Sequence, residues 1–330
     1  MDTLPPEIVH IILAHVDPLT VPVVRCVHPL WRALLNKPSS RKMPPTHRCA
    51  SKCMRWYARH MLDRRRWSVF MWLFDTISSD SFLSCDACAV AAMNGDLVRL
   101  KQLVGKIAYW DRSITRNAAK RGHIDILEWA HGNGCPWDTT LCAAAAKYGH
   151  FDVLRWAKAN GCPWDGNTFA AAAKHGSLPV LEWLANEKCP WRQDSCRAAA
   201  KQGHLHILMW LRARGCPWDT GTCSGAASGG HLEVLQWARA NRCPWSQKTC
   251  KKAAKYGHLE VLQWARVNGC PWDSDVCTYA AEHGHLEVLK WAHAQGCSWT
   301  MALPHMAALN GHLDVLMWLR ANGCPWDYEA

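Results

Sequence analysis

Between Cys135 and Gly161 the apolar positions fall into two short runs of helical spacing separated by a glycine. In the first run Cys142, Ala145 and Ala146 share one face while Thr140, Ala143, Ala144 and Lys147 share the other, which predicts a helix with one side in a core. Asp138 precedes it with a side chain able to accept from the first free backbone amides, and Gly149 ends it where a left-handed conformation is needed. The second run, Val153, Leu154 and Ala157, has Asp152 in its first turn, where a negative charge suits the helix dipole. Gly161 stops it and Pro163 bars its continuation. The segment reads as helix, turn, helix and short loop, with a first helix of about ten residues.

These signals return every 27 residues. Cys-Pro-Trp begins at Cys135, Cys162, Cys189, Cys216, Cys243, Cys270 and Cys324, with Cys297-Ser298-Trp299 filling the missing place and Ala108-Tyr109-Trp110-Asp111 a decayed copy. A Gly-His pair keeps the same beat at Gly122, Gly149, Gly203, Gly230, Gly257, Gly284 and Gly311, with Gly176-Ser177 and Gly95-Asp96 in the remaining places. The capping place holds Asp111, Asp165, Asp219, Ser246, Asp273 and Thr300, with Arg192 as the exception. The stop after the second helix is Gly134, Gly215, Gly269, Gly296 and Gly323, with Lys188 and Arg242 as departures. A unit this small cannot bury its own apolar face, so stacked copies are expected, giving an all-α helical-repeat solenoid.

Composition changes this picture little. The net charge is +11, and residues 1–84 hold 12 basic and 6 acidic side chains, so the basic excess is densest there. Of the 18 cysteines nearly all are phased with the repeat, which suits a small buried residue better than a disulfide framework. The start, Met1-Asp2-Thr3-Leu4-Pro5-Pro6-Glu7, lacks the features of a signal peptide, and no apolar run approaches membrane-spanning length. An intracellular, cytoplasmic or nuclear, protein with reduced thiols is expected. Of the 21 tryptophans, 17 occupy two repeat places, which predicts ladders of stacked indoles between units. The phased histidines are expected to make one repeated backbone hydrogen bond, since copies about 10 Å apart do not converge on a metal. Cys49, Cys53, His47 and His60, and likewise Cys85 and Cys88, lack the paired spacing of a zinc site. No glycine-rich phosphate loop or nucleophile context is present, so no catalytic residue, metal or cofactor is expected and an enzyme is disfavoured.

The stretch Ala253-Ala254-Lys255-Tyr256-Gly257-His258-Leu259-Glu260-Val261-Leu262, followed by Gly269-Cys270, resembles the ankyrin repeat, and His305-Met306-Ala307-Ala308-Leu309-Asn310-Gly311-His312 restores that family's signature histidine. The resemblance covers residues 85–330 in about nine units. Ankyrin units span about 33 residues, and the residues missing here are those of the family's β-hairpin finger, so little or no β-hairpin is expected. Tryptophan-rich shortened units behind a small N-terminal module are similar to the expanded ankyrin families of giant amoeba-infecting DNA viruses.

Leu4-Pro5-Pro6-Glu7-Ile8-Val9, Ile11-Ile12-Leu13, Asp17-Pro18-Leu19 and Arg25-Cys26-Val27-His28-Pro29-Leu30-Trp31 together resemble an F-box, with Pro22 and Pro29 interrupting segments more regularly helical in that family. The resemblance implies a small helical module over residues 1–36 whose Leu4, Pro5, Ile8, Ile11, Ile12, Leu19, Val27 and Trp31 dock a Skp-type linker of a cullin ubiquitin ligase. The same residues also fit a hydrophobic cap for the array. Residues 37–50 read as a linker and 51–84 as a helical N-terminal cap, in which Arg64-Arg65-Arg66 fits either a solvated face or a nuclear signal.

In ankyrin relatives the exposed stripe of the first helix faces the binding groove. Here its last place carries Lys120, Lys147, Lys174, Lys201 and Lys255, then Glu282, and its neighbouring places vary through Arg197, Lys251, Lys252 and Tyr279. This stripe is the expected target-binding face, suited to an extended acidic protein segment or a phosphate backbone, and its lysines equally fit the plain role of keeping an alanine-rich helix soluble and helical. Three functions follow: a monomeric protein-interaction adaptor that links a target to a ubiquitin ligase, a binding scaffold without that link, and, least favoured, nucleic-acid binding through the lysines.

Overall fold

The structure is a computed structural model that describes residues 81–104 and 111–325, with side chains from residue 87 onward. The module expected over 1–36, the linker over 37–50, most of the cap over 51–84 and the linker-docking residues from Leu4 to Trp31 lie outside the described residues, as do Trp110 and Trp326. The described residues form eighteen α-helices and no strand, and the chain divides into two compact units, Met1–Trp137 and Asp138–Ala330.

In the first unit α1 (Ser81–Met93) and α2 (Leu97–Val104) form one hairpin, and α3 (Ser113–Arg121) and α4 (Ile124–Gly132) form another. Helix α1 packs on α3, and Ala91, Leu100, Leu103, Ile114, Ala118 and Leu127 are wholly buried.

The second unit is seven hairpins: α5 (Thr139–Tyr148) with α6 (Phe151–Ala159), α7 (Gly166–His175) with α8 (Leu178–Asn186), α9 (Gln193–Lys201) with α10 (Leu205–Ala213), α11 (Thr220–Gly229) with α12 (Leu232–Ala240), α13 (Gln247–Lys255) with α14 (Leu259–Val267), α15 (Asp275–Glu282) with α16 (Leu286–Ala294), and α17 (Ala302–Leu309) with α18 (Leu313–Ala321). The first helices pack in series, each on the next. That close succession is possible because their facing positions are small: Cys142, Ala145, Ala172, Ala199, Ala226 and Ala253 are wholly buried. Thr140 and Lys147 are exposed and Ala143 and Ala144 half-buried, as the amphipathic pattern predicted.

Each Cys-Pro-Trp segment is a joint. Cys162 closes α6 through its amide to the Ala157 carbonyl at 2.9 Å, and its thiol reaches back to the Asp138 carbonyl at 3.6 Å. The same thiol contact recurs from Cys189 to Asp165, Cys216 to Arg192, Cys243 to Asp219 and Cys270 to Ser246 at 3.5–3.6 Å. Capping is less uniform than the sequence suggested. The Asp138, Asp165 and Asp219 side chains accept from amides of the first turn, whereas Ser246 keeps the extended backbone without a side-chain bond. The Asp273 side chain accepts from the Asp275 amide at 3.2 Å, and at Asp111, Asp273 and Thr300 the helix begins two residues further on. Lys188 and Arg242, which replace glycine after α8 and α12, still take the left-handed conformation, with φ of 58° and 65°.

Candidate functional site

The repeated histidines are wedges between successive hairpins. The Nε2–H of His204, His258, His285 and His312 donates to the carbonyls of Lys174, Ser228, Lys255 and Glu282, thirty residues earlier, at 3.0–3.3 Å, and in the first unit His123 does the same to Met93. Each ring lies where the Cβ of the preceding glycine would be: a Cβ on Gly230 would come within 2.6 Å of His258, and one on Gly257 within 2.7 Å of His285. Burial lowers the pKa of His204 and His285, and neighbouring imidazoles push the same way. His204 and His285 are therefore biased toward the neutral imidazole that donates through Nε2–H, and among the described residues no group of three or more His, Cys, Asp or Glu could hold a metal ion.

The indoles meet edge to face rather than as stacked ladders. Trp164–Trp183, Trp191–Trp210, Trp218–Trp237, Trp245–Trp264, Trp272–Trp291 and Trp299–Trp318 pair at 5.6–6.4 Å with interplanar angles of 64–88°. This is the arrangement the aromatic quadrupole prefers. The sequence reading missed the partner on the other face: Lys158, Arg212, Arg239 and Arg266 lie 4.0–4.5 Å over Trp164, Trp218, Trp245 and Trp272. A Lys or Arg six residues before five of the seven Cys-Pro-Trp tryptophans was the available signal.

The thiols are core groups. Burial, with the Asp165 carboxylate second, pushes Cys189 up to about 12. Cys142, Cys196, Cys223, Cys250 and Cys277 share hydrogen bonds with Cys162, Cys216, Cys243, Cys270 and Cys297, which raises the first of each pair and lowers the second. The Cys189 partner place is taken by Phe169.

The stripe expected to bind a target does reach solvent. Lys147, Lys174 and Lys201 are exposed at the ends of α5, α7 and α9, and Lys252 is exposed on α13. Lys255 lies 5.7 Å over the half-buried Tyr279 ring, and Glu282 is half-buried. Two cations are already engaged: Lys251 bridges Asp273 and Asp275 at 2.8 and 2.6 Å, which raises its pKa, and Arg197 pairs with Asp194 at 2.6 Å. Lys120, in the first unit, is half-buried in the last turn of α3. Between the lysines of α9 and α13, helix α11 presents Ser224 and Ser228, whose hydroxyls donate to the Gly221 and Gly225 carbonyls. Gly225 lets α11 approach α9 closely, because a Cβ there would come within 2.9 Å of the Arg197 carbonyl oxygen.

Comparison with known proteins assigns two modules. Residues 1–51 match the F-box domain family, and residues 277–320 match a family described as ankyrin repeats (many copies). No curated protein matches the chain. Among solved structures, the human ASB11 ankyrin repeat domain aligns with a TM-score of 0.35 and 15% identity, covering 64% of this chain and 98% of that one. The maize pentatricopeptide repeat protein PPR10 aligns with a TM-score of 0.39 and 14% identity, covering 98% of this chain and 54% of that one. Both TM-scores are too low to establish a shared overall fold. Among the described residues no helix is long and apolar enough to cross a membrane.

Proposed function

We propose that this protein is an interaction adaptor in which the helical hairpins capture a protein target and the N-terminal module joins that target to a Skp/cullin-type ubiquitin ligase inside the cell. The observation that carries this reading is the co-occurrence, in one chain, of an F-box match over residues 1–51 and ankyrin repeats later in the sequence. Both kinds of module are typically non-catalytic. The division of labour within each hairpin supports it: Cys, Ala, Val and Leu recur in the core, while the outward places of the first helices change from unit to unit. Leu4, Pro5, Ile8, Ile11, Ile12, Leu19, Val27 and Trp31 would dock the linker. Lys147, Lys174 and Lys201, with Lys252, Lys255 and Tyr279 beyond, suit an acidic segment of the target, whereas Lys251 is neutralised by its own aspartates.

The test is recovery of a Skp-type linker by the intact chain and by a form lacking residues 1–51, under conditions where an authentic F-box protein recovers it. Retention by the intact chain alone is expected. A linker that binds neither form would remove the ligase from the reading and leave a scaffold, which predicts that target turnover is indifferent to the deletion.

A further inference from the structure

Thiol pairs recur along the core of the second unit, and two of them carry a feature that packing does not explain. Cys223 on α11 is hydrogen-bonded to Cys243 in the joint after α12, and Cys250 on α13 to Cys270 in the joint after α14. All four are 0% exposed. The Cys223 thiol also lies 3.9 Å from the Cys243 carbonyl, while Cys243 and Cys270 reach the carbonyls of Asp219 and Ser246 at 3.5 and 3.6 Å. The residue before the first thiol of each pair is a threonine. Thr222 and Thr249 are wholly buried and their hydroxyls complete no hydrogen bond, yet they lie against the thiols of Cys243 and Cys270. Ile114, Leu141, Val276 and Leu303 fill the same place in other units and are wholly buried, so an aliphatic side chain suits the fold there. A buried hydroxyl without a partner is a cost that a methyl group would avoid.

Each of these hydroxyls has a proton to donate, and the acceptor it faces is sulfur. A neutral thiol is a weak acceptor, whereas a thiolate carries the charge that makes such a bond strong. Positive charge stands close by. The Arg239 guanidinium donates to the Cys243 carbonyl, and Arg239 and Arg266 act electrostatically on the pairs of Cys223 and Cys250. Two sulfurs, a hydroxyl donor and a guanidinium suit a pair of thiolates that share a cation. Zinc requires four ligands, and among the described residues no group of three or more His, Cys, Asp or Glu could hold a metal ion. The cation must therefore be one that two soft sulfurs satisfy, which is the chemistry of Cu(I).

We propose that Cys223 with Cys243, and Cys250 with Cys270, are two-coordinate sites for Cu(I), with Thr222 and Thr249 donating to the bound sulfurs. Binding forms two copper–sulfur bonds and breaks two S–H bonds, whose protons pass to solvent. The copper keeps its oxidation state, and each site passes from neutral to a single negative charge that the neighbouring guanidinium offsets. Entry requires the hairpins to part locally, so uptake is slower than at an exposed thiol.

The experiment titrates the full chain anaerobically with Cu(I) against a chromogenic Cu(I) chelator, with a reductant that is not a thiol, and counts retained copper by native mass spectrometry. Copper held elsewhere cancels in comparison with Cys223→Ala/Cys250→Ala, which is expected to retain about two Cu(I) fewer per chain. Circular dichroism checks that this variant folds. Thr222→Val/Thr249→Val keeps every thiol, with Val276 as precedent for the side chain, and decides the matter even if the first variant fails to fold. It is expected to raise the thermal midpoint of the metal-free chain while weakening Cu(I) retention at the two sites about tenfold. Excess Zn(II) is expected to displace none of this copper. Equal retention in the parent and the folded alanine variant, unchanged affinity in the valine variant, or displacement by Zn(II) would overturn the proposal.

Discussion

Gly230→Ala should destabilise the second unit by about 2–4 kcal/mol, whereas Gly215→Ala should cost only about 1 kcal/mol. The two glycines share a backbone conformation, with φ of 76° and 79°, so the left-handed strain of about 1 kcal/mol is common to both. They differ in what surrounds them. A Cβ on Gly230 would stand 2.6 Å from Nδ1 and 2.7 Å from Cε1 of His258, while one on Gly215 meets nothing within 4 Å. The alanine at position 230 must therefore expel the imidazole. The Nε2–H to Ser228 hydrogen bond, worth about 1 kcal/mol, goes with it, and a ring is displaced from its packing site. Gly311 is an internal control, because it has φ of 74° and, like Gly215, nothing within 4 Å of its Cβ position. Urea denaturation followed by tryptophan fluorescence measures the three costs, and amide exchange in α11–α14 measures them without assuming one cooperative transition. In a His258→Ala background the Gly230→Ala penalty should fall to that of Gly215→Ala. Equal penalties at all three sites, or no rescue by His258→Ala, would refute the wedge.

Lys188→Gly, which releases a left-handed lysine at φ 58°, should raise stability by about 0.5–1 kcal/mol in a thermal melt. Asp165→Ala, which removes bonds to the Asn167 and Thr168 amides, should cost about 1 kcal/mol by the same assay, whereas Ser246→Ala should be near neutral, since Ser246 makes no capping bond. Because burial holds the folded-state pKa values of His204 and His285 below the ordinary imidazole value of 6.5, the stability they contribute is complete above that pH and declines as the pH falls through the lowered values. Denaturation midpoints taken from pH 7.5 down to pH 5 should therefore fall, and less steeply in His204→Gln. Maleimide should label Cys142, Cys196 and Cys223, all 0% exposed, at least about 100-fold more slowly in the folded chain than in urea.

The hairpins were legible because most carry local signals that agree: acid at the first turn of the second helix, apolar positions at helical spacing, glycine at both stops and proline after the second. The unequal strictness of the two glycine places was also visible in the sequence, but its cause was not. The Gly-His glycine is kept in all nine copies, while the other is replaced by Lys188 and Arg242. At Gly95, Gly176, Gly203, Gly230, Gly257 and Gly284 the reason is a contact between hairpins, the next histidine against the glycine, whereas Gly311 and the second glycines have open space around them. The edge-to-face indoles and their covering cations were missed for the same reason: they join residues six and nineteen positions apart through the stacking of hairpins rather than through helical periodicity. The commitment of Lys251 to Asp273 and Asp275 likewise links α13 to the entry of α15, which the pattern within one unit does not disclose.

Residues 162–188 show how such contacts separate structural from functional change. This unit has lost the core thiol to Phe169, the wedge histidine to Ser177, the dipole acid to Pro179, the covering cation to Ala185 and the glycine stop to Lys188. Where the losses touch the interior, something replaces them. His175 lies against Gly149 in place of the missing wedge, Phe169 is wholly buried under Trp191, and Lys188 keeps the left-handed turn. On the surface nothing replaces the cation lost at Ala185, and Glu187 stands where most units have a neutral amide side chain. Drift under selection for folding alone would leave the exposed losses as neutral as the compensated ones, since a missing cation–π contact at an exposed site costs only about 0.5–1 kcal/mol. The interior losses of this unit are therefore met by new contacts, while the exposed ones are left at a cost the fold tolerates.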